Sequence, residues 1–183
     1  MQTVGSPMST CRVVAYLALL VAYTAAQAAS DTGPGLGQAL SEEEAAAISL
    51  TITPDGGGLP EGSGSARAGE SIYRARCLAC HGSVGTQGIN DRLAGGHGTL
   101  TSARLVKTVG SYWPYATTVF DYVRRAMPYD SPGSLSDDET YGVTAYVLFL
   151  NDIVGRDAIL NASTLPGVTM PNAGNFVWAV PVR

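Results

Sequence analysis

The chain is poor in charge, lysine, histidine and cysteine. Charged residues make up 14% of its 183 positions, and Lys107 is the single lysine. With no basic run and an excess of acids, it lacks the electrostatic footprint of a nucleic-acid binder, and that class of partner is set aside. Histidine occurs only at His81 and His97, and cysteine only at Cys11, Cys77 and Cys80. Long apolar runs are equally scarce. The one that stands out, "VVAYLALLVAYTA" from Val13 to Ala25, has thirteen residues. As a helix it reaches about 20 Å, against a bilayer core of about 30 Å.

That run has another meaning. Arg12 is the only charge before it and the small-residue site Ala26-Gln27-Ala28 follows it, the pattern of a secretory signal peptide. The expected cleavage falls after Ala28, which sends the protein to the periplasm; an uncleaved membrane anchor is the alternative. Cys11 leaves with the signal, so the exported chain keeps two cysteines in an oxidising compartment. Losing Arg12 leaves ten basic residues against fifteen acidic ones, a net charge of −5.

Twenty-two glycines and ten prolines put long stretches of chain in loops. Ser41 with Glu44 forms a capping-box pattern that predicts a short helix. Ile48, Leu50 and Ile52 then alternate with polar residues, the period of a half-buried strand that would lie along the following domain. "TPDGGGLPEGSGS" reads as linker. From Ala66, "ARAGESIYRAR" predicts a helix with Ala68, Ile72 and Tyr73 at helical spacing, where Gly69 implies close approach of another helix. A Gly-rich loop spans Gly82 to Gly98. Further helices are expected around "TSARLVKTV" and "YATTVFDYVRRAM", the second with Val119, Phe120 and Val123 on one face. A final helix opens on a Ser136–Glu139 capping box, with Asp137 and Asp138 at the positive end of its dipole. Beyond Asp152 the chain is punctuated by Pro, Gly and Asn and should wrap the surface.

The chemistry gathers at "CLACHG", Cys77 to Gly82. C-x-x-C-H reads as a covalent haem attachment site. Two thiols three residues apart on a helical turn can reach two vinyl groups of one porphyrin, and the adjacent imidazole can meet the iron. Zinc would need a second ligand pair, for which only His97 remains. A redox dithiol belongs near a βαβ pattern, which is absent. A disulfide across two residues within a helix is geometrically awkward. One covalently bound haem c is therefore expected, on Cys77 and Cys80, with His81 as an axial ligand.

The second axial ligand should be Met127, in "RAMPYDSPG", because a thioether at a helix end followed by a loop can be held against the iron. Met170 and His97 are the other candidates. Methionine opposite histidine raises the reduction potential and closes the iron to substrate, favouring electron transfer.

The order "G…Y…CLACHG", "AMP", "LSDDETYGVTAYVLFL" resembles the class I cytochromes c. The resemblance implies an all-α class I cytochrome c domain over 66–154, flanked by an irregular N-terminal arm and linker at 29–65 and a C-terminal tail at 155–183. It also implies that Gly69 and Tyr73 cross the last helix near Tyr146. "GSYWPYATT" and "RAMPYDSPGSLS", within a likeness running from Leu40 to Asn172, are similar to the cytochrome subunits of molybdenum sulfite dehydrogenases and of the sulfur dehydrogenase of the thiosulfate-oxidising system. The implied partners are a molybdenum-containing sulfite or sulfur dehydrogenase subunit and a downstream cytochrome or terminal oxidase. The chain would then be an electron-transfer subunit of an oxidoreductase rather than a catalyst by itself. A soluble carrier for another exported dehydrogenase and a haem-based sensor are the alternatives. Two features depart from the pattern: "TQGINDRL" lacks the proline whose carbonyl orients the histidine in many class I cytochromes, and there is one haem motif only. Trp113 and Tyr112 are expected at the haem edge, and one of Arg92, Arg124 and Arg125 is expected on a propionate.

Overall fold

A computed structural model describes residues 36–177 and 179. The signal-peptide segment 1–28 lies outside them. The chain divides into two units at Ile48/Ser49. In the first, Ser41 caps helix α1 (Glu42–Ile48) as its capping box predicts, its backbone N–H donating to Glu44 at 2.9 Å and its hydroxyl accepting from the Glu44 N–H at 3.2 Å. The alternation at Ile48–Ile52 does not make a strand. Ile48 instead closes α1, Leu50 is exposed, and Ile52 packs on the core of the second unit; among the described residues no ladder includes this stretch.

The second unit is built on three helices: α2 (Ala66–Arg76), α4 (Ala116–Ala126) and α5 (Asp137–Phe149), with the single turn α3 (Leu78–His81) following α2. Thr140 through Leu148 are all buried, so α5 is the central helix, apolar on nearly every side and packed all round. Its start is held by the Ser136–Glu139 capping box, with both reciprocal bonds formed. Ser136→Ala should lower stability by about 1 kcal/mol, seen as a melting temperature about 2–4 °C lower.

α2 is capped by Ser65, whose hydroxyl accepts from the Ala68 N–H at 3.2 Å, and it buries Ala66, Gly69 and Tyr73. Those positions recur at helical spacing and face α5. A Cβ on Gly69 would lie 1.8 Å from the Gly142 carbonyl oxygen, so the backbones of α2 and α5 touch. Next to this crossing the rings of Tyr73 and Tyr146 pack with centroids 5.1 Å apart. The crossing predicted from Gly69 and Tyr73 is present.

Two further corrections apply. The described residues hold a two-stranded antiparallel ladder, β1 (Ser63–Ser65) with β2 (Ile159–Asn161), so the fold is mostly rather than wholly helical. Residues 101–109 form turns and irregular chain, not the expected helix. There Thr99, Thr108 and Ser111 hydroxyls bond the backbone of Val106, Thr108, Gly95 and Ser111, giving it partners that compete with helical ones. The chain beyond Asp152 does not only wrap the surface as expected, since Leu160, Leu165 and Met170 are buried in the core. Among the described residues no helix is long and apolar enough to cross a membrane.

Candidate haem site

Between α2, α3, α4 and α5 lies a cavity of about 1190 Å³. It is larger than the roughly 300–1,000 Å³ common for small-molecule pockets. Cys77, Cys80, His81 and Met127 all line it, as do Tyr112, Trp113, Arg92 and Lys107. Its inner wall includes Val109, Val119, Val143 and Val147, all buried residues. His97 and Met170 are not on this wall. Met170 is 2% exposed and belongs to the core cluster, whereas the exposed His97 sits 3.5 Å from Asn151 Oδ1.

Local geometry explains how the thiols and the imidazole converge. Cys77 ends α2 and starts α3, with a backbone bend at φ −121°, and its carbonyl accepts from both the Cys80 N–H (3.2 Å) and the His81 N–H (2.9 Å). Cys77 and Cys80 are separate thiols, and burial pushes the Cys77 thiol up to about 11. The Tyr73 hydroxyl donates to the Gly82 carbonyl at 2.9 Å, pinning the exit from the motif. Behind it the loop folds back tightly. The Asn90 N–H donates to the Cys80 carbonyl at 2.9 Å, and a Cβ on Gly88 would fall 2.0 Å from that same oxygen.

His81 Nδ1 lies 2.8 Å from the carbonyl oxygen of Asp91. A carbonyl only accepts, so Nδ1 carries a proton, and in the neutral ring that leaves the lone pair on Nε2. That is the tautomer a metal-ligating histidine needs, with its second ring nitrogen oriented by the backbone. Asp91 thus provides a carbonyl for the role left open by the missing proline. Sequence could not mark it, since any residue offers a carbonyl.

Met127 closes α4 in extended conformation, its N–H still donating to the Val123 carbonyl. The loop that follows is tied to α2 by Arg76, which donates to Ser131 Oγ at 2.9 Å and Ser134 Oγ at 2.6 Å. The three arginines separate cleanly. Arg124 pairs with Asp137 at 3.1 Å and Arg125 pairs with Asp121, and neither lines the cavity. Arg92 does, and among the described residues it makes no ion pair. Lys107, which no sequence motif marks, joins it on the cavity wall, with Nζ 4.7 Å from the Tyr112 ring centroid. Two thiols, an imidazole of fixed tautomer, a thioether, an apolar wall and two cations form a donor set that fits haem c.

Comparison with known proteins agrees. Residues 64–147 match the family described as cytochrome C oxidase, cbb3-type, subunit III. The chain is similar to the thiosulfate dehydrogenase of Allochromatium vinosum, 34% identical over 80 residues, 44% of this chain. It spans only 29% of that protein's length. The crystal structure of the sulfane dehydrogenase SoxCD from Paracoccus pantotrophus superposes with a TM-score of 0.72 and 43% identity, covering 78% of this chain and 71% of that one. Fold, cavity and likeness together make this chain a member of the class I c-type cytochromes of the sulfur dehydrogenase type.

Proposed function

We propose that the chain is the monohaem electron-transfer subunit of an exported, molybdenum-dependent sulfur dehydrogenase, oxidising sulfite or a related sulfur compound at its partner's centre. The carrying observation is that His81 and Met127 line one cavity together with Cys77 and Cys80. In this reading the two thiols bind one haem covalently, and His81 and Met127 are its axial ligands. Bound haem supplies a one-electron iron couple. The chain's own residues do the rest. Asp91 holds the imidazole through its Nδ1 proton. Arg76 steadies the loop after Met127. The valine wall keeps water from the interior, and Arg92 and Lys107 compensate acidic edge groups that would be costly to bury unpaired.

With His81 and Met127 both available to hold the iron, sulfur chemistry would belong to the partner, and electrons would leave towards a cytochrome or terminal oxidase. Periplasmic location is part of the same reading and rests on the signal-peptide pattern at 1–28. The test is purification of the native assembly from the exported fraction. Molybdenum should co-elute in amounts equal to haem iron, and sulfite or thiosulfate should reduce the haem only when that subunit is present. A lone cytochrome reduced by some other exported dehydrogenase would favour the soluble-carrier reading. Carbon monoxide binding to the native reduced protein would favour a sensor.

A further inference from the structure

Asn151 lies just beyond α5 and is 2% exposed. Its side-chain amide is fully employed. Nδ2 donates to the Val147 carbonyl at 2.8 Å and to the Leu93 carbonyl at 3.0 Å. Oδ1 accepts from the Gly95 N–H at 3.1 Å and stands 3.5 Å from His97 Nε2. One buried side chain thus clamps the end of the central helix to both sides of Ala94. The packing there is tight as well, since a Cβ on Gly110 would lie 2.2 Å from Asn151 Oδ1.

The clamped loop is the one that orients His81. Asp91, two residues before Leu93, accepts from His81 Nδ1, and Leu93 and Ala94 donate to the Gly85 carbonyl at 2.8 and 3.1 Å. On the far side, Thr108 Oγ1 donates to the Gly95 carbonyl at 2.6 Å. Asp91 is itself exposed and has no side-chain bond to the core among the described residues, so the position of its carbonyl depends on these anchors on one side and on the Asn90 N–H bond to the Cys80 carbonyl on the other. Of them, Asn151 alone links the loop to α5 through side-chain hydrogen bonds.

We propose that Asn151 is a positioning residue for the redox centre. Through Leu93 and Gly95 it sets how closely the Asp91 carbonyl approaches His81 Nδ1, and so how basic the axial imidazole is. The proposal rests on His81 being a haem ligand. A short Nδ1–H···O bond makes the imidazole a stronger donor and favours the oxidised iron. Without the clamp the carbonyl recedes, the imidazole weakens as a donor, and the reduction potential rises.

The test uses haem-loaded protein carrying Asn151→Ala or the milder Asn151→Ser. The expected results are a higher reduction potential and a His81 Nδ1 proton resonance moved to lower chemical shift in the reduced state. Leu165→Ala, which opens a fully buried core position away from the cavity, should lower the melting temperature and leave both readouts in place. Asn151 variants that melt early while potential and resonance stay unchanged, with His81 still ligating, would overturn the positioning role and leave the ligand reading intact. Absence of any iron-bound His81 signal in the unmutated protein would overturn both. Should neither Asn151 variant fold, hydrogen exchange in the unmutated protein decides. The Gly95 amide and the His81 Nδ1 proton should exchange at rates of the same order, through one opening of the clamp, and a much faster His81 proton would overturn the proposal.

Discussion

Replacing His81 with alanine is expected to abolish the six-coordinate absorption spectrum of the haem-loaded protein. Its imidazole is the group on the cavity wall whose free Nε2 is secured by a hydrogen bond at the other nitrogen. Retention of the parent spectrum would remove His81 from the iron. Met127→Ala should instead give a high-spin or ligand-exchanged haem whose potential falls by on the order of 0.1–0.3 V, within the roughly 0.8 V that axial ligation spans. Met170→Ala provides the contrast. That side chain is 2% exposed in the core and away from the cavity, so its loss should lower stability by about 2–5 kcal/mol and leave spectrum and potential alone. Visible spectroscopy, potentiometry and thermal melts distinguish the three variants. If the outcomes for the two methionines were exchanged, Met170 would be the ligand.

Gly69→Ala is expected to destabilise the fold although alanine is the better helix former. Intrinsic propensity favours the change by about 1 kcal/mol. Against it stands the added Cβ, 1.8 Å from the Gly142 carbonyl oxygen and 2.9 Å from the Val143 nitrogen. These are backbone atoms, so no rotamer change relieves the overlap and the helices must separate. Overpacking of this kind costs about 3 kcal/mol, which leaves a net loss of about 2 kcal/mol. In a thermal melt that is a fall of about 4–8 °C. An unchanged or raised melting temperature would mean that α2 and α5 do not touch where Gly69 meets Gly142.

These two predictions rest on features of unequal legibility. That Cys77, Cys80, His81 and Met127 line one cavity could be read because the chemistry expected of them is carried by side-chain identity and short spacing. Gly69 could be read because glycine within a helix needs a reason. Its counterpart Gly142 is not legible in the same way, since a glycine in an almost wholly buried helix gives no hint of what it meets; Gly64, whose added Cβ would lie 2.2 Å from the Gly142 nitrogen, completes the contact unannounced. The β1–β2 ladder was invisible because "SGS" has no strand character of its own and its partner is remote in sequence. The segment around Val106 misled for the opposite reason. It had the composition of a short helix, but Ser and Thr hydroxyls outside helical register provided its backbone with other partners.

The ladder has a mechanical consequence. Ser63 pairs with Asn161 at one end and Ser65 with Ile159 at the other, so the chain entering β1 and the chain leaving β2 depart from the same end. Tension on those two flanks pulls the strands apart as a zipper opens, loading one rung at a time rather than shearing all three together. Behind the last rung stand the Arg67 N–H bond to the Arg156 carbonyl at 3.0 Å and the Arg67–Asp157 ion pair at 2.7 Å. The rung nearest α2, Ser65 with Ile159, is therefore the last to be loaded, and the Arg67 contacts behind it stand in the first turn of that helix.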